Sequence, residues 1–221
     1  MEDRRRILRR VGIVVLVVGL IDVSFMIYCI TQGQSYSSSL NVFAVIGGFF
    51  LIRGSERAVR IVSWFSAFCL AGFGSAAVVL PFIFPMELWI LIIRLHPGEA
   101  LFSMLLLVAL VVLLAWVYGQ LRTEPVLRES SNAGRSSAPP RLAFALGIVL
   151  VVGLAGTALL LLNSDTARKA TFLAKARYGA DYNYFVNSIH WSGKRVQATL
   201  YAYNSHEMRP VQVEWQQDPS P

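Results

Sequence analysis

The chain is poor in the residues that carry most protein chemistry. Its 221 residues include 2 cysteines, 3 histidines and 3 lysines. Cys29 and Cys69 both fall inside apolar runs, and the polar segment after Leu162 has none. A disulfide framework is thereby excluded, and both thiols read as small buried hydrophobes. His96, His190 and His206 are scattered. With no His-Glu-x-x-His, no cysteine pair and no carboxylate cluster, a metal site lacks ligands. No glycine-rich phosphate loop is present either, because Gly47 and Gly48 lie in an apolar run with no lysine nearby. Gly72-Phe73-Gly74-Ser75 offers a hydroxyl, but an intramembrane nucleophile needs a base, and no apolar run contains a histidine. No catalytic, cofactor-binding or metal residue is assigned, and the chain is not expected to be an enzyme.

Charge is scarce as well. Only 15% of residues are charged and 55% are hydrophobic, whereas soluble domains carry about 25% charged residues. What fills the chain is apolar sequence, in five runs at residues 11–30, 36–52, 61–84, 100–118 and 142–162. About 20 apolar residues are needed to cross ~30 Å of hydrocarbon. The expected fold is an all-α polytopic membrane domain of five transmembrane helices plus one short interfacial helix, followed by a small α+β (αβββ) soluble domain. The first run follows a basic arm, as in a signal peptide. It exceeds the usual ~7–15-residue core and no small-x-small cleavage site follows, so it reads as a retained span.

The formal charge is +7, with 17 arginines. Twelve of these lie in three clusters beside apolar runs: Arg4, Arg5, Arg6, Arg9 and Arg10; Arg53, Arg57 and Arg60; Arg122, Arg128, Arg135 and Arg141. Cytoplasmic loops collect such charge, and the same side chains suit anionic membrane lipids. The positions therefore argue against nucleic acid as the partner. Loop by loop, the rule puts residues 1–10 and the mobile linker 119–141 in the cytoplasm, and residues 163–221 outside. The excess of arginine over lysine favours a bacterial inner membrane.

Residues 85–96 decide that topology. Pro85 and Glu87 start a helix and His96-Pro97-Gly98 ends it, with Leu88, Leu91, Ile92 and Leu95 along one face. At 1.5 Å per residue its reach is about 18 Å, too short to span. It reads as an interfacial helix anchored by Trp89. As a sixth span it would make the C-terminal domain cytoplasmic. Glu87, Arg94, His96 and Glu99 form a candidate polar cluster at this outer surface.

After Leu162, Ser164 or Asp165 caps a helix that runs to Tyr178 and stops at Gly179. Three strands follow, at residues 182–191, 195–203 and 210–216, with a Ser192-Gly193-Lys194 turn after the first. Some 55 residues make a marginal core without disulfides or metal, so docking on a bilayer or a partner would help. Tyr201 and Tyr203, joined by Tyr182 and Tyr184, are the candidate partner surface, since exposed aromatics among polar residues suit a protein contact.

Within the spans, Asp22 stands out. It lies about 12 Å from the outer end of its run at helical rise, where carboxylates serve as interhelical glue or proton relays. Ala67, Ala71 and Ser75 form a small-residue series for close helix packing. The expectation is a non-enzymatic accessory, assembly or regulatory subunit whose αβββ domain binds a membrane or extracytoplasmic protein, with self-association into an oligomer also open. The alternative is a small transporter or channel subunit that uses Asp22, and five spans without a repeat would require an oligomer for that.

Overall fold

The computed structural model describes residues 2–33, 40–132 and 139–216. Among them are helices α1 (Glu2–Thr31), α2 (Leu40–Ile52), α3 (Glu56–Ile83), α4 (Met86–Leu95), α5 (Pro97–Leu121), α6 (Glu124–Asn132), α7 (Arg141–Leu162) and α8 (Asp165–Tyr178). Strands β1 (Asn183–Ser192), β2 (Arg195–Tyr203) and β3 (Met208–Gln216) close the order. Four helices, α1, α3, α5 and α7, are long and apolar enough to cross a membrane, which points to membrane insertion.

The second apolar run is described only in part. Its helix is α2, with 13 residues, or about 20 Å at helical rise, short of a ~30 Å core. Among the described residues four helices therefore meet the length of a span, and residues 36–39 of the expected second span lie outside the described residues. The linker 119–141 differs from expectation. α5 runs to Leu121 and α6 occupies Glu124–Asn132, with Val126 buried. Glu124 reaches Arg128 at 2.6 Å, an i,i+4 pair that supports a short helix. Residues 133–138 lie outside the described residues.

The chain divides into two compact units. The first holds Met1–Gly74 and Val108–Ile148. Here α1 and α2 run antiparallel at very close range: a Cβ on Gly12 would lie 2.8 Å from the Gly48 carbonyl oxygen, and one on Gly48 would lie 2.7 Å from the Leu16 nitrogen. One helical stretch along, a Cβ on Gly19 would meet the Val45 nitrogen at 2.9 Å. Glycine removes the side chains that would hold the backbones apart. Leu8 and Val11 of α1, Leu51 of α2, Ala58 and Val62 of α3, and Val117 and Leu121 of α5 form one buried cluster. Arg4 pairs with Glu56 at 3.4 Å beside it. A Cβ on Gly147 would sit 2.5 Å from the Phe68 carbonyl oxygen and 3.0 Å from the Ala71 Cβ. The small-residue face read from the third run thus receives α7.

The second unit holds Ser75–Leu107 and Val149–Pro221. Ser164 caps α8, its hydroxyl accepting the Ala167 N–H at 3.2 Å. Gly179 ends the helix at φ 103°, a conformation that favours glycine. The three strands form an antiparallel meander in the order β1-β2-β3. Ala167, Ala170 and Ala174 pack on Val196, Ala198, Leu200, Ala202, Val211 and Val213. The alternation read along β2 is the reason, since every second residue faces the helix. Alanine on both sides lets helix and sheet approach closely. The expected αβββ module is the one observed, with β3 beginning at Met208 rather than Pro210.

Candidate functional site

α4 shows how the second unit uses its short apolar helix. Pro85 precedes it with ψ 136°, the extended geometry of a residue just outside a helix. His96 closes it, donating its N–H to the Ile92 carbonyl at 2.9 Å. Leu88 and Leu91 are only 2% and 4% exposed, and they bury against Tyr203, itself 6% exposed. Phe84, Ile92, Phe185 and Met208 pack around this cluster. The apolar face read from the sequence is real, but it rests on the sheet. Leu95, expected on the same face, is exposed where the helix ends.

The contact has a polar fringe. Asn183 donates its amide N–H to a Glu87 carboxylate oxygen at 3.4 Å. Burial pushes the Tyr203 phenol above its ordinary value, and the nearby Glu87 carboxylate adds to the shift. Phe84 lies 5.2 Å from the Phe185 ring and 5.9 Å from Trp89. Trp89 turns toward protein: its Nε1 is buried with no hydrogen-bond partner among the described residues.

The four tyrosines do not share one face. A register shift between Val186 and Ser188, a bulge in β1, exchanges the faces of the residues on either side of it. Tyr182 and Tyr184 pack on the α8 side, against the alanine–valine core. Tyr184 donates its hydroxyl to the Gly179 carbonyl at 2.8 Å, and burial raises its pKa. Tyr182 donates to the Glu207 carboxylate, a bond that raises its pKa, and the Arg209 guanidinium lies 4.5 Å from its ring. Tyr203 is under α4. Tyr201 is half-buried, between its cross-strand neighbours Phe185 and Pro210.

The outer polar cluster does not gather either. Glu87 lies in the first turn of α4 and Arg94 in the last, about 10 Å apart along the axis at helical rise. His96 Nδ1 approaches the Glu99 carboxylate at 3.8 Å, with both side chains largely in solvent. Asp22 is half-buried on α1. It lies one turn past Gly19, which abuts Val45, so the antiparallel register places it level with the start of α2. His206 and Glu207 belong to the β2–β3 loop, where both backbone N–H groups are donated to the Asn204 side-chain oxygen at 2.9 Å. No group of three His, Cys, Asp or Glu residues that could hold a metal ion occurs among the described residues.

Sequence reasoning set Asp165, Arg168 and Lys175 along one side of α8 but missed Phe172 among them. Phe172 is 72% exposed there, and Arg168, Lys169 and Lys175 are exposed around it. These three sit four and three residues before and three after it, the spacings that make side chains neighbours on a helix. The signal was available, since 172 falls opposite the alanine stripe. Trp191, at the end of β1, is also exposed. No family model, no curated protein and no solved structure matches the chain.

Proposed function

We propose that this is a non-enzymatic multi-pass membrane protein, an accessory, assembly or regulatory subunit whose C-terminal αβββ domain binds a partner protein. The observation that carries the reading is the exposed Phe172 with Arg168, Lys169 and Lys175 around it. Aromatic side chains and arginine are enriched at protein interfaces, so Phe172 with Arg168 is the anchor, and the two lysines belong to the polar rim. Tyr182, Tyr184 and Tyr203 are engaged within the chain, so the surface moves from the sheet to α8.

The arginine clusters supply the orientation in this reading, with the N-terminus cytoplasmic and the αβββ domain outside, in a bacterial inner membrane. α2 then belongs to a fifth crossing, running back along α1. This fits the pairing of Arg4 with Glu56, which brings the start of α3 beside the start of α1. Membrane lipids are contacts throughout.

The test is capture from mild detergent of three forms: the intact chain, a form lacking residues 163–221, and Phe172→Glu. A partner held by the intact chain and lost from both variants is expected. Identical captures from all three would sink the proposal. A C-terminal reporter pair, one active only in the cytoplasm and one only outside, tests the orientation.

A further inference from the structure

α4 has two apolar faces, and only one is covered. Leu88 and Leu91 take the sheet. On the opposite side Met86, Ile90 and Ile93 are 65%, 61% and 54% exposed. Their spacing, i, i+4 and i+7, makes one continuous stripe on a helix. A helix in water would carry polar residues there.

The ends of α4 say what covers that stripe. Phe84 and Pro85 alone separate it from α3, and His96 alone separates it from α5, and both helices are long and apolar enough to cross a membrane. Two residues of extended chain reach about 7 Å, so α4 cannot leave the surface where these helices end. Apolar exposure continues across both junctions, at Phe82 before α4 and at Leu101 and Phe102 after it. The polar side chains of α4 fit the same placement. Glu87 points to Asn183 of the sheet, and the exposed Arg94 sits in the last turn, where a long side chain can reach headgroups from a lipid-facing helix.

From this we infer that α4 is a two-sided clamp: Met86, Ile90 and Ile93 sink into the boundary between headgroups and acyl chains, while Leu88 and Leu91 hold the sheet. The bilayer is then the occupant of the outer stripe, and the αβββ domain is fixed to the membrane surface through Tyr203 instead of swinging on its tether. Interfacial helices bury their apolar face ~5–10 Å into that boundary. The inference depends on membrane insertion and not on the partner-binding surface of α8, and its test reads each separately.

The experiment uses the full chain with Cys29→Ala and Cys69→Ala, carrying Ile90→Cys or Phe172→Cys, labelled with an environment-sensitive fluorophore. The protein is placed in nanodiscs of phosphatidylcholine and phosphatidylglycerol. Quenching is measured with a shallow doxyl-labelled lipid and with aqueous iodide. The Ile90 label is expected to be quenched several-fold more by the lipid and shielded several-fold from iodide, with the Phe172 label showing the reverse. Ile93→Cys replaces Ile90→Cys should that variant fail to fold. Equal access of iodide to both labels overturns the inference. So does shielding that appears only with two or more copies per disc, because a second copy would then be the occupant.

Discussion

Replacing Leu91 with alanine would test whether α4 is held on the sheet by packing or merely lies near it. Leu91 is 4% exposed and shares its cluster with Leu88 and Tyr203. Removing a buried leucine side chain costs about 2–5 kcal/mol, less where neighbours can collapse into the space. The cluster is small, and its partly buried neighbours Phe84, Ile92 and Met208 can shift into the space, so the low end, about 2–3 kcal/mol, applies. At 1.4 kcal/mol per tenfold, that weakens docking by roughly 30- to 150-fold. Hydrogen exchange read by mass spectrometry, on the full chain in nanodiscs, measures it directly. Exchange should rise by a comparable factor in α4 and at the Asn183, Tyr203 and Met208 end of the sheet, which pair across the strands. The amides of α8 and the Arg195 end should change little. Phe172→Ala, on the other side of the sheet, serves as the control. A rise below about threefold at both α4 and the Tyr203 end would refute the packing argument.

The glycine contact between α1 and α2 gives a second prediction. Gly48→Ala adds a Cβ 2.7 Å from the Leu16 nitrogen, so overpacking should cost about 1–3 kcal/mol and lower the melting temperature in detergent. Gly153→Ala, with nothing within 4 Å, should be neutral by the same scan. High pH should loosen the αβββ domain. Tyr182, Tyr184 and Tyr203 all have phenols raised above their ordinary value of 10.0, so the unfolded chain loses its protons first. Stability is full below that value and is lost as the pH climbs through the raised ones. Tyr203→Phe should flatten the decline in a stability–pH series, and an unchanged slope would remove burial as its cause. Asp22→Asn keeps a hydrogen-bonding oxygen on the half-buried side chain, so expression and thermal stability should hold. A proton-driven flux in reconstituted vesicles that Asp22→Asn abolishes would instead favour the transport reading.

The elements were legible where one residue's neighbours decide the outcome. Ser164 and Gly179 mark the ends of α8 because capping and left-handed backbone are local events. The alternation of β2 gave its buried face directly. The tyrosine surface was not legible, because the bulge after Val186 reverses the faces of β1, and a bulge is fixed by pairing with β2 rather than by the strand itself. The second apolar run has the composition of a span, and its described part is the helix Leu40–Ile52.

The sequence by itself determined that this chain has membrane-length apolar helices, where its arginines cluster, and that an αβββ module follows. Those outcomes depend on hydropathy, charge and strand period, which are sums over adjacent residues. Tertiary structure alone decided what each apolar face touches. Leu88, Leu91 and Ile92 read equally well as facing lipid or protein, since both environments reward the same removal of apolar surface from water. Only the meeting of α4 with Tyr203 and Phe185 separates the two, and it leaves Met86, Ile90 and Ile93 exposed.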